Sequence, residues 1–194
     1  MDAALLILAA GEGRRVGGPK AWHLVGGRPW LEHQLQWVAP FDFTSLMVVL
    51  AEPPPPEHAD VLDAATWTLN PHPELGPFSS LQVGLRALKP RTDPVFVLPV
   101  DVPAAGLRTF LMLQEGVFGA AAAVPVLDGR GGHPVLLAAR SRMELLRMDP
   151  ADPEARLDGW LRERASDVRR VETPDRRVLM DLNREEDFQA LGLE

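Results

Sequence analysis

Residues 5–20 read LLILAAGEGRRVGGPK, and this stretch decides how the whole chain is interpreted. Its first four residues are apolar, which is typical of a strand buried on both faces of a parallel sheet. The glycines that follow let the backbone bend sharply and approach a ligand, so that main-chain N–H groups can face phosphate oxygens. Arg14, Arg15 and Lys20 add positive charge at the same place. The segment therefore predicts a loop that binds a polyphosphate.

Two well-known glycine-rich loops do not fit this segment. A P-loop needs Gly-Lys followed by Ser or Thr, but Pro19 stands where the lysine belongs and Ala21 follows Lys20. The dinucleotide fingerprint needs a third glycine where Val16 stands, and no acidic residue ends a second strand about 20 residues later. The loop therefore belongs to neither class.

Composition limits the classes of protein that this chain can belong to. Its 194 residues suit one domain, which we expect to span residues 1–194. The absence of cysteine excludes disulfides and thiolate chemistry, and the net charge of −7 argues against general nucleic-acid binding. The sequence has no run of 18 uncharged apolar residues that could span a membrane, and no basic leader before its first strand. We therefore expect a cytoplasmic protein without membrane contact.

Apolar runs alternate with stretches of helical spacing, which predicts an α/β fold with a mostly parallel sheet between two layers of helices. We expect strands at 5–8, 46–51, 66–69, 94–98, 120–126, 134–138, 168–171 and 178–182. We expect helices at 30–38, 139–147, 154–164 and 184–191, one that Ser79 or Ser80 caps, and one from Pro103 to Leu113. Ligands bind beyond the carboxyl ends of the strands in such a three-layer, Rossmann-like α/β/α domain.

Two carboxylates are candidates for a metal site at that edge. Asp101 follows the predicted strand at 94–98 and lies between prolines, which hold it rigidly. Mg²⁺ is bound in proteins by one or two carboxylates together with phosphate oxygens. Asp101 could instead cap the following helix. Asp181 lies in the predicted strand at 178–182 and could complete the metal shell. Asn183 could be a ligand as well or could equally cap the next helix, with Glu186 forming a capping box.

The first segment resembles the signature L-A-A-G-x-[GS]-x-R-[MV]-G-x-x-K of the nucleotidyltransferases related to those of molybdenum-cofactor synthesis. The matching residues are Leu8, Ala9, Ala10, Gly11, Gly13, Arg15, Gly17 and Lys20, while Val16 stands where methionine is commonest. Four later segments extend the resemblance over nearly the whole chain: NPHPELGPFSSLQVGL at 70–85, LPVDVP at 98–103, GGHPV at 131–135 and DLNREEDF at 181–188.

The resemblance implies a role for individual residues. The loop residues Leu8, Ala9, Ala10, Gly11 and Gly13 would hold the base and phosphates, with Arg14, Arg15 and Lys20 on the triphosphate. Asp101 and Asp181 would hold Mg²⁺, and Arg15, Lys20 and Asp101 would carry the catalysis. Asn70 and Ser80 would bind the ribose or the acceptor, although a turn and a helix cap explain them as well. His133 would bind the acceptor.

These residues lead to one expected reaction and to three alternatives. We expect a Mg²⁺-dependent transfer of a nucleoside monophosphate from CTP or GTP to a phosphorylated acceptor. The expected acceptor is molybdopterin or the molybdenum cofactor. We expect the protein to be a monomer or homodimer that binds no nucleic acid. The alternatives are a nucleotidyltransferase for a sugar or alditol phosphate, a nucleotide-binding regulator without catalysis, and an NAD(P)-dependent oxidoreductase.

Overall fold

A computed structural model describes residues 2–13, 17–88 and 93–192 of the chain. The strands of the described residues are β1 (Ala4–Ala9), β2 (Leu24–Val25), β3 (Arg28–Pro29), β4 (Leu46–Leu50), β5 (Thr66–Leu69), β6 (Val95–Pro99), β7 (Ala122–Leu127), β8 (Arg130–Gly131), β9 (Val135–Leu137) and β10 (Val168–Glu172). The α-helices are α1 (Trp30–Val38), α2 (Pro77–Ala87), α3 (Leu107–Gly116), α4 (Ser141–Arg147), α5 (Leu157–Glu163) and α6 (Glu185–Gln189). Short 3₁₀ helices occupy Lys20–Trp22, Ala39–Phe41, Pro56–Ala64, Pro73–Leu75, Ala165–Asp167 and Arg176–Leu179.

The main sheet has the strand order β10-β7-β9-β6-β1-β4-β5, and β8 pairs with β7. The pairs of β1 with β4 and β6, of β4 with β5, and of β7 with β10 are parallel. Strand β9 runs antiparallel between β6 and β7, while β2 and β3 form a separate antiparallel ribbon. The prediction of a mostly parallel sheet is therefore confirmed.

Alternate residues of the central strands pack into two separate cores, one on each face of the sheet. Leu5 and Ile7 of β1 face the core that contains Trp30 of α1 and Phe110 of α3. Leu6 faces the other core, to which α2, α4 and α5 contribute. Because a strand presents successive side chains to opposite faces, this division follows from the continuous apolar run of β1. The three-layer α/β/α arrangement is therefore confirmed.

The register of β1 and β6 brings their carboxyl ends together. Leu8 lies opposite Pro99, and the N–H of Val100 donates a hydrogen bond of 2.9 Å to the Leu8 carbonyl. The glycine-rich loop follows β1 and Asp101 follows β6, so both emerge side by side at one edge of the sheet.

The predicted strand at 178–182 is wrong. The chain forms one turn of 3₁₀ helix at Arg176–Leu179, because the Asp175 carboxylate accepts the Arg177 N–H and closes a turn. The residues that follow, 180–183, belong to no strand of the described sheet. The buried apolar side chains of Val178 and Leu182 explain why the sequence suggested a strand.

Two predicted helix starts are also wrong. Helix α2 begins at Pro77, so Ser79 and Ser80 lie inside it rather than at its cap. Helix α3 begins at Leu107 rather than at Pro103, and the Gly106 N–H that precedes it donates to the Asp175 carboxylate at 2.6 Å. A carboxylate distant in sequence thus replaces the local cap. Within the described ranges, each helix is too short or too polar to cross a lipid bilayer.

We predict that Phe96→Ala lowers the free energy of unfolding by about 3–5 kcal/mol, because it empties part of a dense aromatic cluster. Phe96 is fully buried, and its ring lies 4.8 Å from that of Phe110 and 5.9 Å from that of Phe43. Urea unfolding measures the change. The control is Phe118→Ala, at a side chain that is 91% exposed, which we expect to change the unfolding free energy by less than about 0.5 kcal/mol. Equal effects of the two variants would contradict this packing.

Candidate active site

The glycine-rich loop folds back on itself after β1. Gly13 has φ = +58°, and the N–H of Gly18 donates to the Gly13 carbonyl at 3.2 Å. A Cβ atom at position 13 would collide with the carbonyl oxygen of Gly18. Gly13 is thus a position where the backbone requires glycine. The short 3₁₀ helix Lys20–Trp22 follows this turn, and its buried Ala21 packs in the core.

Lys20 joins three parts of the chain. Its Nζ donates to Asp101 Oδ2 at 2.9 Å and to Asn183 Oδ1 at 2.8 Å. The Lys20 side chain is only 12% exposed and that of Asp101 is 32% exposed. The loop after β1, the end of β6 and the segment before α6 therefore meet at one ammonium group. Lys20 and Asp101, two of the predicted site residues, are therefore in direct contact.

Asn183 has a role that the sequence did not indicate. Its side chain accepts the Lys20 hydrogen bond, so it does not cap α6. The Asp187 carboxylate instead accepts the N–H groups of Asn183 and Arg184, each at 2.8 Å. The predicted capping box with Glu186 is therefore wrong. The sequence signal that could have found this contact is the segment DLNREEDF at 181–188, which contains Asn183 and matches the resembling family.

A cavity of about 310 Å³ lies beside this lysine–aspartate pair. Asp101, Asp181 and His133 all line it, and these are three of the predicted site residues. The other lining residues are Pro99, Val102, Arg130, Gly131, Gly132, Val178, Leu179 and Met180. Asp181 is exposed. The fold thus brings both predicted carboxylates and the predicted acceptor-binding histidine to one cavity.

The backbone of His133 is packed closely against the segment that precedes Asp181. The His133 N–H donates to the Val178 carbonyl at 2.9 Å, and a Cβ on Gly132 would collide with the same carbonyl oxygen. Burial lowers the pKa of His133, against the opposing effects of Asp101, the Val97 carbonyl and Asp181. Its Nδ1 is buried and has no hydrogen-bond partner among the described residues. His133 therefore lines the cavity with a ring whose Nδ1 the described residues leave unsatisfied.

Asn70 and Ser80 lie in a separate polar cluster at the end of β5. Asn70 Nδ2 donates to Ser79 Oγ at 2.8 Å and to Ser80 Oγ at 3.0 Å, and Asn70 Oδ1 accepts the His72 N–H at 2.9 Å. Both Asn70 and Ser80 are buried. The turn interpretation of Asn70 is confirmed. Neither side chain hydrogen-bonds to Lys20 or Asp101, so the structure does not join this cluster to the first one.

The remaining predicted nucleotide-binding residues surround the start of the loop. The Leu8 carbonyl accepts the Val100 N–H, and Ala9 and Ala10 are buried. Gly11 is exposed, and the space where a Cβ would lie is open. A ligand can therefore approach the Gly11 backbone closely. Arg14 and Arg15 lie outside the described residues.

The donor set fits a cation that binds together with a triphosphate. No group of three His, Cys, Asp or Glu side chains close enough to hold a metal occurs in the described parts of the chain. Asp101 and Asp181 supply carboxylate oxygens at one cavity, and Mg²⁺ typically takes one or two carboxylates and fills its other positions with water and phosphate oxygens. The residues present thus suit Mg²⁺ that arrives with a nucleotide better than a metal held by protein alone.

A parallel sheet with a glycine-rich loop, a buried lysine and a carboxylate-lined cavity at its carboxyl edge defines a nucleotide-handling α/β enzyme. A family model confirms this class and refines it. Residues 5–168 match the MobA-like NTP transferase domain, and the chain belongs to this family. It is therefore a nucleotidyltransferase.

Solved structures share the fold. Rv0371c from Mycobacterium tuberculosis H37Rv has a TM-score of 0.79 at 21% identity, covering 97% of this chain and 96% of that one. Molybdopterin-guanine dinucleotide biosynthesis protein A from Archaeoglobus fulgidus has a TM-score of 0.72 at 19% identity, covering 96% and 95%. 2-C-methyl-D-erythritol 4-phosphate cytidylyltransferase from Thermus thermophilus has a TM-score of 0.65 at 23% identity, covering 98% of this chain and 97% of that one.

A second structure of Rv0371c, in complex with manganese, has a TM-score of 0.73 at 19% identity and covers 98% of both chains. No curated protein sequence matches this chain. At these identities the structural likeness establishes the fold alone.

We predict that Gly13→Ala lowers the free energy of unfolding by about 1–3 kcal/mol, because alanine at φ = +58° is strained. The added methyl group also meets the Gly18 carbonyl. Chemical unfolding without nucleotide measures the loss. Gly11→Ala is the matched control, since its Cβ meets open space, and we expect a change within about 0.5 kcal/mol. If Gly13→Ala leaves the free energy of unfolding unchanged, the loop does not fold back as described.

We predict that His133 contributes to a loss of stability as the pH falls. Its pKa is lowered in the folded chain, so the unfolded chain binds more protons between the folded pKa and about 6.5. The contribution is therefore present above pH 6.5 and is lost as the pH falls through the folded pKa. Unfolding free energies at several pH values should show a shallower dependence for His133→Asn than for the wild type. Identical pH dependences would show that His133 titrates normally.

Proposed function

We propose that this protein transfers a nucleoside monophosphate from CTP or GTP to a phosphorylated small-molecule acceptor and releases pyrophosphate. The observation that carries the proposal is the convergence of Lys20, Asp101 and Asn183 beside a cavity that Asp181 and His133 line. The residues come from the glycine-rich loop, from the end of β6 and from the segment before α6. They place a cation and two carboxylates where a parallel sheet binds its ligand.

In this proposal the triphosphate binds at the glycine-rich loop that follows β1. The exposed Gly11 backbone and the loop cations Arg14, Arg15 and Lys20 receive its phosphates. Lys20 contacts Asp101 in the structure, so it stands at the border between the loop and the carboxylates. Asn70 and Ser80 remain predicted nucleotide-binding residues; their buried hydrogen bonds support a role in holding the end of β5.

Charge is the main obstacle to this reaction, because several anionic groups converge and more negative charge develops on the leaving pyrophosphate. Asp101 and Asp181 would hold Mg²⁺, which supplies positive charge to the phosphate oxygens. The manganese complex of Rv0371c supports a divalent cation in this fold. Lys20 adds a fixed positive charge that needs no rearrangement during the reaction.

The acceptor occupies the cavity. A phosphate monoester is already an anion at neutral pH, so it attacks the α-phosphorus without a general base, and the bond to pyrophosphate breaks. His133, which lines the cavity, contacts the acceptor in this proposal.

We propose molybdopterin or the molybdenum cofactor as the acceptor, and the sequence motifs together with the A. fulgidus neighbour support it. An alditol phosphate is the second candidate, favoured by the T. thermophilus neighbour, which is named as a cytidylyltransferase for 2-C-methyl-D-erythritol 4-phosphate. Membership of a transferase family favours both over a silent regulator or an oxidoreductase. A cytoplasmic location and a monomeric or homodimeric state belong to the same proposal.

The test is pyrophosphate release from each of the four triphosphates with Mg²⁺ and either molybdopterin or an alditol phosphate. We expect CTP or GTP to support turnover with one acceptor. Turnover with the alditol phosphate alone would replace the first acceptor by the second. Tight binding of NADPH without pyrophosphate release from any triphosphate would end the proposal.

We predict that Asp101→Asn lowers kcat by about 10²–10³-fold, by analogy with the loss of one transition-state contact. The change keeps the size of the side chain and removes the charge that pairs with Lys20. The same assay measures it. Asp167→Asn is the control, because this carboxylate forms an exposed pair with Arg140, and its loss should leave kcat unchanged. Full activity of Asp101→Asn would remove Asp101 from the reaction.

A further inference from the structure

The buried face of α1 contains one glutamine among large apolar side chains. Gln34 is completely buried, one helical turn after the completely buried Trp30. A polar side chain in such a position costs free energy unless its hydrogen bonds are satisfied. Its partners therefore indicate what it does.

Gln34 binds the backbone on both sides of Asp101. Its Nε2 donates to the Val102 carbonyl at 2.7 Å and to the Val100 carbonyl at 3.3 Å. Its Oε1 accepts the Ala104 N–H at 2.7 Å. One carboxamide thus satisfies three backbone groups of the segment that carries the aspartate.

Other contacts hold the same segment from the remaining directions. Trp30 Nε1 donates to the Val100 carbonyl at 2.5 Å. The Leu182 N–H donates to the Asp101 carbonyl at 2.8 Å. Residues 100–106 belong to neither a strand nor a helix, and only the Val100 N–H, which bonds the Leu8 carbonyl, continues the ladder between β1 and β6. The direction of the Asp101 carboxylate therefore depends on these contacts, and Gln34 makes most of those that come from side chains.

We propose that Gln34 is a positioning residue for the transferase reaction: it orients Asp101 toward Lys20 and the cavity by fixing the backbone at Val100, Val102 and Ala104. The inference rests on the proposed function, in which Asp101 carries charge stabilisation. Partners that orient a metal-binding or charge-stabilising group change affinity or activity about 10–100-fold when they are removed, although they touch no substrate.

The chain offers a matched control in Gln82, which is also completely buried in a helix. Gln82 Nε2 donates to the carbonyls of Leu145 and Met148, each at 2.7 Å, and so joins α2 to α4 on the other face of the sheet. Gln34→Met and Gln82→Met therefore remove the same carboxamide. The first removes the Gln34 donor from the Val102 carbonyl and the acceptor from the Ala104 N–H, whereas the second removes the Gln82 donor from the Leu145 and Met148 carbonyls. Only Gln34→Met frees the Asp101 segment.

The experiment compares wild type, Gln34→Met and Gln82→Met in three measurements: kcat and KM for the triphosphate, the affinity for Mn²⁺ in the presence of CTP by electron paramagnetic resonance, and chemical unfolding. We expect both variants to lose stability. Gln34→Met should lower kcat and weaken Mn²⁺ binding by about 10–100-fold each, with KM changed less than about threefold. Gln82→Met should change kcat and Mn²⁺ affinity by less than about threefold.

A third variant, Gln34→Glu, separates positioning from simple packing. Burial raises the pKa of an introduced carboxyl group, and its protonated form can donate to Val102 and accept from Ala104. We expect its kcat, taken relative to wild type, to rise as the pH is lowered, whereas that of Gln34→Met does not. This variant also serves if Gln34→Met fails to fold.

Equal losses in the two methionine variants, or a Gln34→Glu whose relative kcat does not vary with pH, would overturn the positioning role. A wild type that is inactive with every triphosphate and acceptor would instead overturn the proposed function. In that case Mn²⁺ binding by the Gln34 variants still decides whether Gln34 orients Asp101, since unchanged binding would refute it.

Discussion

The parallel pairing of β1 with β6 is the constraint on which the rest of the structure depends. It places Leu8 opposite Pro99 and aligns the carboxyl ends of the two strands. The glycine-rich loop and Asp101 then begin at neighbouring points of one edge, and Lys20 can reach the carboxylate. In an antiparallel pair these two ends would lie at opposite edges of the sheet.

The residues that meet at this edge belong to segments without regular secondary structure. Hydrogen bonds from distant parts of the chain stabilise the backbone of these segments. Asp175 accepts the Gly106 N–H before α3, and Leu182 donates to the Asp101 carbonyl. Gln34 satisfies the backbone around Asp101 from the buried face of α1. Buried backbone groups without a regular ladder need such partners, because an unsatisfied group costs free energy. The same contacts that permit irregular backbone also orient the carboxylate.

Lys20 shows how charge is arranged in a protein with a net charge of −7. Its ammonium group is mostly buried and has one anionic and one neutral acceptor. A buried cation needs such partners, because it has lost much of its hydration. The positive charge therefore stays next to Asp101, which lines the cavity.

The sequence by itself determined most of the strands, the two-faced sheet and the loop that precedes Lys20, because apolar runs and the glycine at position 13 act through local backbone and burial. It also indicated that Asp101 follows a strand end. Only the tertiary structure decided the partners: Asn183 binds Lys20 across 163 residues, and Asp175 rather than a local residue binds the backbone before α3. These hydrogen bonds join groups that have no regular spacing in the sequence, so no local pattern predicts them.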